Sequence, residues 1–258
     1  MAVQSVLQRV TDFLVRVEAR LLALPASGQL VEVSPLTGEI LSWYARTRSL
    51  FAATRLLLDA GYPEEAMILT RSTFEASLRL EYLAGEPQSG RASLVLREIA
   101  RSMEAYRELD QERRRTRPDP EKDLRVDSMI DERMKAVRRT QSRLGINRLR
   151  RFPGDKDLAR RFGHLDSYFG SRLASEITHG GHIAQSTRIR WAKDELKVFH
   201  RNTDPWFAAG VGVAAAEAAL HTQRAIAGIM GRDAPETDSL IQECARLDQA
   251  LENAVPYR

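Results

Sequence analysis

The chain has 258 residues, 43% hydrophobic and 29% charged, with a formal net charge of +4 and one cysteine. That length can bury a core, and the balance of apolar and charged residues excludes a disordered chain. The lone Cys244 excludes an intrachain disulfide framework, and no apolar run approaches the length of a membrane span. The N-terminal MAVQSVLQRVTDFLVRVEARLLAL lacks the basic start and unbroken apolar run of a secretory leader, so a cytoplasmic location is expected.

Apolar residues recur at helical spacing almost throughout. A first helix is predicted over residues 2–24, ending at Pro25, and a second over about 37–59, stopped by Gly61. Pro63 opens a third, PEEAMILTRSTFEASLRLEYLAG, with two acids in its first turn and Gly85 after its end. Long amphipathic segments follow over about 91–116 and 121–144, parted by RPDP, which breaks a helix and supplies a turn. A short helix near 155–162 leads into SYFGSRLASEITHGGH, residues 167–182. Beyond it, STRIRWAKDELKVFHRN alternates over a few residues, as an irregular segment or small hairpin would. Two further helices are predicted over about 204–230 and 236–253. The expectation is one all-α domain over 1–258, a bundle of seven or eight helices with a protruding basic hairpin at about 91–146.

The charge is unevenly placed. Residues 91–161 hold 21 Lys and Arg against 13 Asp and Glu, whereas the remainder of the chain is acidic. Arginine dominates that surplus, as at Arg113, Arg114 and Arg115, and its planar fork suits phosphate oxygens. Two readings stand: a cationic surface for nucleic acid, or a solvated hairpin with interleaved charges.

On a helix, Tyr168, Arg172, Ser175, Glu176 and His179 fall within roughly 100° of arc, with Leu173 and Ile177 pointing nearly the other way. That polar face combines a guanidinium, an imidazole able to move a proton near neutral pH, and oxygen groups. Gly180-Gly181 serves as an ordinary helix terminator. Arg71 and Glu75, one turn apart, are read either as an ordinary helix pair or as a pair orienting a buried group such as His179. For metal chemistry, Glu176-x-x-His179 is one copy of a unit that di-iron bundles carry twice, while Glu217 and His221 stand at i,i+4. A mononuclear set of Glu176, His179 and His182 requires the double glycine to turn the chain back, and the expectation is no metal and no cofactor. The phosphate-loop, dinucleotide, Cys-x-x-Cys and nucleophile-elbow motifs are all missing from the sequence.

Arg172-Leu-Ala-Ser-Glu-Ile-Thr-His179 resembles the Arg-x4-6-His motif of the HEPN-like (higher eukaryote and prokaryote nucleotide-binding) helical bundles. The resemblance implies metal-independent RNA cleavage in bacterial toxin and phage-defence systems, with two motif copies meeting in a homodimer. A second resemblance spans about 45–230. AMILTRSTFEASLRLEYLAG and YFGSRLASEITHGG are similar to a bacterial all-helical family without an assigned activity, marked by Arg-x-x-x-Glu, then "YL", then Ser-x-x-x-His-Gly. Here those positions are Arg71, Glu75, Ser175, His179 and Gly180.

The first expectation is therefore a HEPN-like endoribonuclease or nuclease-derived effector. His179 would serve as general acid/base, Arg172 would hold the phosphate, Ser175 or Glu176 would orient the imidazole, and RNA would be the partner. The alternative is a non-catalytic α-helical binding or regulatory subunit of a defence or toxin complex, favoured by Leu173 beside the arginine and by the single motif copy. A metal-dependent helical-bundle enzyme is the third.

Overall fold

The computed structural model describes residues 2–23, 35–168, 170, 172, 189–192, 195–198 and 204–254. They are almost all helical, and the all-α expectation holds. The helices are α1 (Ala2–Ala23), α2 (Pro35–Asp59), α3 (Pro63–Ala84), α4 (Gln88–Thr116), α5 (Pro120–Arg143), α6 (Asp155–Phe162), α7 (Pro205–Ile229) and α8 (Pro235–Ala254). Residues 165–168, 170 and 172 are also helical. The alternating stretch after the double glycine forms an antiparallel hairpin, β1 (Ile189–Ala192) with β2 (Glu195–Val198), in which Trp191 faces Leu196 across the ladder.

Local chemistry sets the helix ends. α2 stops where Gly61 takes φ 78°, and the Gly61 and Tyr62 amides donate to the Leu58 and Leu57 carbonyls. Pro63 then starts α3 with Glu64 and Glu65 in its first turn, where acids complement the helix dipole. α7 starts on Asp204, whose carboxylate accepts from the Trp206 amide, with Pro205 behind it. α6 ends on Gly163 at φ 79°, which places His164 at the start of the next helical run.

The chain divides into two compact units. The larger holds residues 1–32, 41–84 and 154–258, and α7 is its central helix, packed against α1, α3 and α8. α7 can serve on several sides because it is apolar on most of its faces and rich in alanine, so neighbouring backbones come close. Phe13, Val17 and Leu21 of α1, Phe51 of α2, Ala216 and Leu220 of α7 and Leu247 of α8 form the core. Gln223, fully buried, is satisfied by the Arg20 carbonyl and the Thr237 hydroxyl.

The smaller unit holds 33–40 and 85–153, with α4 and α5 packed on each other. One apolar cluster joins Leu96, Ala100 and Val137, with Leu36, Ile99, Met134, Ile146 and Leu149 around them, and Leu94, Val95 and Ile130 are also fully buried. Ion pairs also join α4 and α5, including Arg107 to Asp131 at 3.0 Å and Arg114 to Asp127 at 2.8 Å. Asp119 caps α5 by accepting from the Lys122 amide. No described helix is long and apolar enough to cross a membrane.

Two glycines of α7 separate packing from propensity. A Cβ on Gly212 would lie 2.9 Å from Leu14 Cδ1 and 3.4 Å from Leu58 Cδ1, whereas one on Gly210 would meet nothing within 4 Å. Gly212→Leu is expected to lower stability by about 2–3 kcal/mol through overpacking. Gly210→Ala should raise it by about 0.5–1 kcal/mol, the ordinary helix preference of alanine over glycine. Urea unfolding of the two variants beside the parent protein measures both.

Candidate functional site

Positions three and four apart on a helix share a face, and on α3 such a stripe runs Met67, Thr70, Arg71, Phe74. On α7 the matching stripe is Gly210, Ala214, Glu217, His221, Arg224. Where the first halves of these stripes meet helical residues 166, 167 and 170 and α8, a cavity of about 470 Å³ opens. That size suits a small molecule. Met67, Phe74, Phe207 and Val211 give it apolar walls; Asp166, Glu217, Asp248 and Glu252 add four carboxylates. Arg71 is the one basic group among its described lining residues, and its Nε already donates to Glu75 at 2.8 Å.

The carboxylates influence one another. Withdrawal from water, then the like charges of Glu252 and Glu217, push the Asp248 carboxyl above its ordinary range. Ser167 Oγ donates to Glu217 at 3.3 Å, fixing that side chain on the wall. Cys244 also lines the cavity, but burial and the neighbouring acids, Glu217 first, push its thiol up, so it is no thiolate nucleophile at neutral pH.

One helical turn beyond the cavity stands a second polar group. The side chain of Glu81 on α3 is 8% exposed, and His164 Nε2 lies 3.1 Å from its Oε2 while His221 Nδ1 lies 2.6 Å from its Oε1. Arg224 Nη2 reaches the same Oε1 at 3.1 Å and His221 Nδ1 at 2.9 Å. The two imidazoles meet edge to face with centroids 4.6 Å apart. Burial alone would raise the Glu81 carboxyl, but hydrogen bonds from His164 and His221 and their charges outweigh it and bring it down to about 2. Conversely, the Glu81 hydrogen bond raises His164 against the opposing effect of burial. Phe74, a cavity wall, stands edge-on to His164 at 6.5 Å, so cavity and cluster are neighbours along the same three helical segments.

The residues singled out from the sequence are partly placed. Arg71 and Glu75 form their one-turn pair, each about one-third exposed, with Arg71 on the cavity wall. Tyr168 is half-buried and partnered, and Arg172 is helical and exposed. Ser175, Glu176, His179 and His182 lie outside the described residues. Arg113 binds Asp110 at 2.7 Å and also Asp123; Arg114 binds Asp110 at 2.6 Å and Asp127; Arg115 binds Glu112 at 2.8 Å. The first two are thus tied into the α4–α5 pair rather than held out to solvent. Sequence reasoning passed over Glu81 and His164 and saw His221 as a neighbour of Glu217. The available signals were Glu81 before the Tyr82-Leu83 pair and a histidine directly after the helix-ending Gly163.

Residues 40–195 match the model of a family of unknown function, DUF5677. The match covers more than half of the chain, which belongs to that family. No curated protein and no solved structure matches it. The matched stretch includes Arg71, Glu75, Glu81, His164 and Arg172, and ends before Glu217 and His221.

Glu81 and Arg71 differ sharply in what their loss should do. Glu81→Ala leaves the buried His221 imidazole, the half-buried His164 imidazole and a guanidinium without their shared acceptor, and is expected to cost about 3–5 kcal/mol. Arg71→Ala breaks a solvated pair and should cost no more than about 0.5 kcal/mol. Thermal unfolding of both variants checks the difference; equal losses would show that Glu81 is not a structural tie.

Proposed function

Taking membership of that family as the premise, we propose that the chain is a ligand-binding helical module that takes a small amphipathic amine in the cavity between α3, α7 and α8. The observation that carries this is the cavity's lining: apolar walls for a hydrocarbon segment, four carboxylates for cationic nitrogen, and an arginine already neutralised by Glu75. An anionic ligand would meet those carboxylates without a spare cation among the described lining residues, and each such like-charge contact costs about 1 kcal/mol in a partly solvated site. The module corresponds to a regulatory or binding subunit, in which the amine would signal rather than react.

Calorimetric titration with spermidine tests it, with inorganic phosphate as the control. Saturable binding of the amine and none of phosphate is expected. Asp248→Asn with Glu252→Gln should weaken the amine about tenfold or more, since each lost charge pair is worth about 1 kcal/mol in a partly solvated site. Asp248 binds a cation in its ionised form, and its carboxyl is pushed up. Amine affinity is therefore expected to rise with pH through that raised range and to be lost as pH falls through it. Equal affinity in parent and double variant, or no binding of the amine at millimolar concentration, removes this function.

A second function is favoured by Arg172, which is exposed and helical in the register that would align it with Ser175, Glu176 and His179. It is the HEPN-like one: a metal-independent endoribonuclease or nuclease-derived effector of a bacterial defence or toxin system, acting as a homodimer in the cytoplasm. His179 would pass the proton and Arg172 would hold the phosphate. Because Arg113 and Arg114 are engaged by aspartates, RNA affinity would come from exposed arginines such as Arg138 and Arg139. His179→Ala and Arg172→Ala are expected to abolish RNA cleavage without lowering the melting temperature, their losses should not add, and a chelator should change nothing. Arg138→Glu with Arg139→Glu should weaken RNA retention and flatten its salt dependence. A folded parent protein that neither binds nor cleaves RNA ends this second function.

A further inference from the structure

We propose that Glu81, His164 and His221 form a binding site for a divalent transition-metal ion of the zinc class, with Arg224 as a guanidinium that swings aside when the ion binds. The site is separate from the cavity, and loss of amine binding would leave it standing.

The ligand atoms carry the first part of the case. One carboxylate oxygen and two ring nitrogens, from α3, the residue after Gly163, and α7, all lie within 4.8 Å of one another. A closing movement of a few tenths of an ångström would let atoms so spaced share one ion at bond lengths of roughly 2.0–2.2 Å. The donors are borderline, two imidazoles with one carboxylate, which selects zinc and its neighbours over magnesium or calcium. Three protein ligands leave a fourth position for water or an exogenous group, the pattern of reactive rather than purely structural zinc sites. The ligand side chains are 8, 15 and 9% exposed for Glu81, His164 and His221, so bulk water competes weakly for the ion.

The second part is the crowding of donors on one oxygen. His221 Nδ1 stands 2.6 Å and Arg224 Nη2 3.1 Å from Glu81 Oε1, and the two nitrogens are 2.9 Å apart. With a hydrogen on Nδ1, both groups donate to Oε1 and the guanidinium supplies positive charge there. A metal ion would take the lone pairs of Nδ1 and the carboxylate together and supply that charge in its place. Arg224 is free to leave, because its side chain is 45% exposed and its long stem reaches solvent. Its positive charge beside a divalent ion opposes binding, so the arginine sets affinity downward rather than supplying a ligand.

The test uses the full chain, stripped by chelator and titrated with Zn²⁺ alone and with Co²⁺, whose visible absorption reports coordination. One ion per chain with micromolar or tighter affinity is expected, and an intense four-coordinate Co²⁺ spectrum. His164→Ala and His221→Ala should each weaken binding by at least about tenfold, because each removes one of three ligands. Arg224→Ala alters an exposed side chain and should fold normally; it is expected to tighten binding about tenfold as a competing cation is removed. Three results overturn the site: no saturable binding below about 100 µM, binding that survives both histidine variants but is lost in His179→Ala or His182→Ala, or binding weakened by Arg224→Ala. If the histidine variants fail to fold, the Arg224→Ala direction alone decides.

Discussion

The contact between α3 and α7 determines where the cavity and the Glu81 cluster of the larger unit can stand. Residues 67–74 of α3 meet residues 207–217 of α7 at the cavity, and Glu81 meets His221 and Arg224 farther along, so the two helices run in the same sense. Along that shared seam the side chains on α7 change character. Gly210, Val211 and Ala214 are small or slender and leave a cavity, whereas His221 and Arg224 are large and fill the seam with charge. One helix pair therefore makes a recognition pocket at one end and a charged cluster at the other.

Glu81 carries much of the energetic burden of that seam. An isolated ionised carboxylate taken out of water costs several kcal/mol. Two imidazoles and a guanidinium offset this by donating to it, His164 from just beyond Gly163 and His221 and Arg224 from α7, so the cluster ties α3, the start of the helical run at His164, and α7 together. Such a tie fixes relative helix position more narrowly than apolar contacts do, because a slide along the seam would leave the charge unpartnered. The smaller unit uses the same device: Asp110 is buried between Arg113 and Arg114.

Helix positions were legible because their punctuation is local. Gly61 with Pro63, the RPDP break and Gly163 end and start helices through backbone chemistry that a short window of sequence displays. The polar cluster was not legible for the opposite reason. Glu81 is 83 residues from His164 and 140 from His221, and no periodicity relates positions on three separate helical segments. The cavity was half legible: Arg71 and Phe74 lie on a recognisable stripe, but Asp248 and Glu252 resemble any solvated acids near the end of a helix until α8 is seen to close the pocket. Likewise, the arginine surplus in 91–161 is plain in composition, while the commitment of Arg113 and Arg114 to Asp123 and Asp127 depends on α5 folding back on α4. Counting charges shows a surplus without showing which charges are spare.

The most direct test of the cavity as a binding site is methyl NMR on protein labelled at its methionines. Met67 is the methionine on the cavity wall, whereas Met129 is exposed on α5 and Met134 packs in the smaller unit. On titration with a short alkyl amine, the Met67 methyl resonance is expected to shift saturably while those of Met129 and Met134 stay in place. A Met67 signal that does not move while the amine binds, or moves no more than Met129, would contradict the assignment of the cavity as the site.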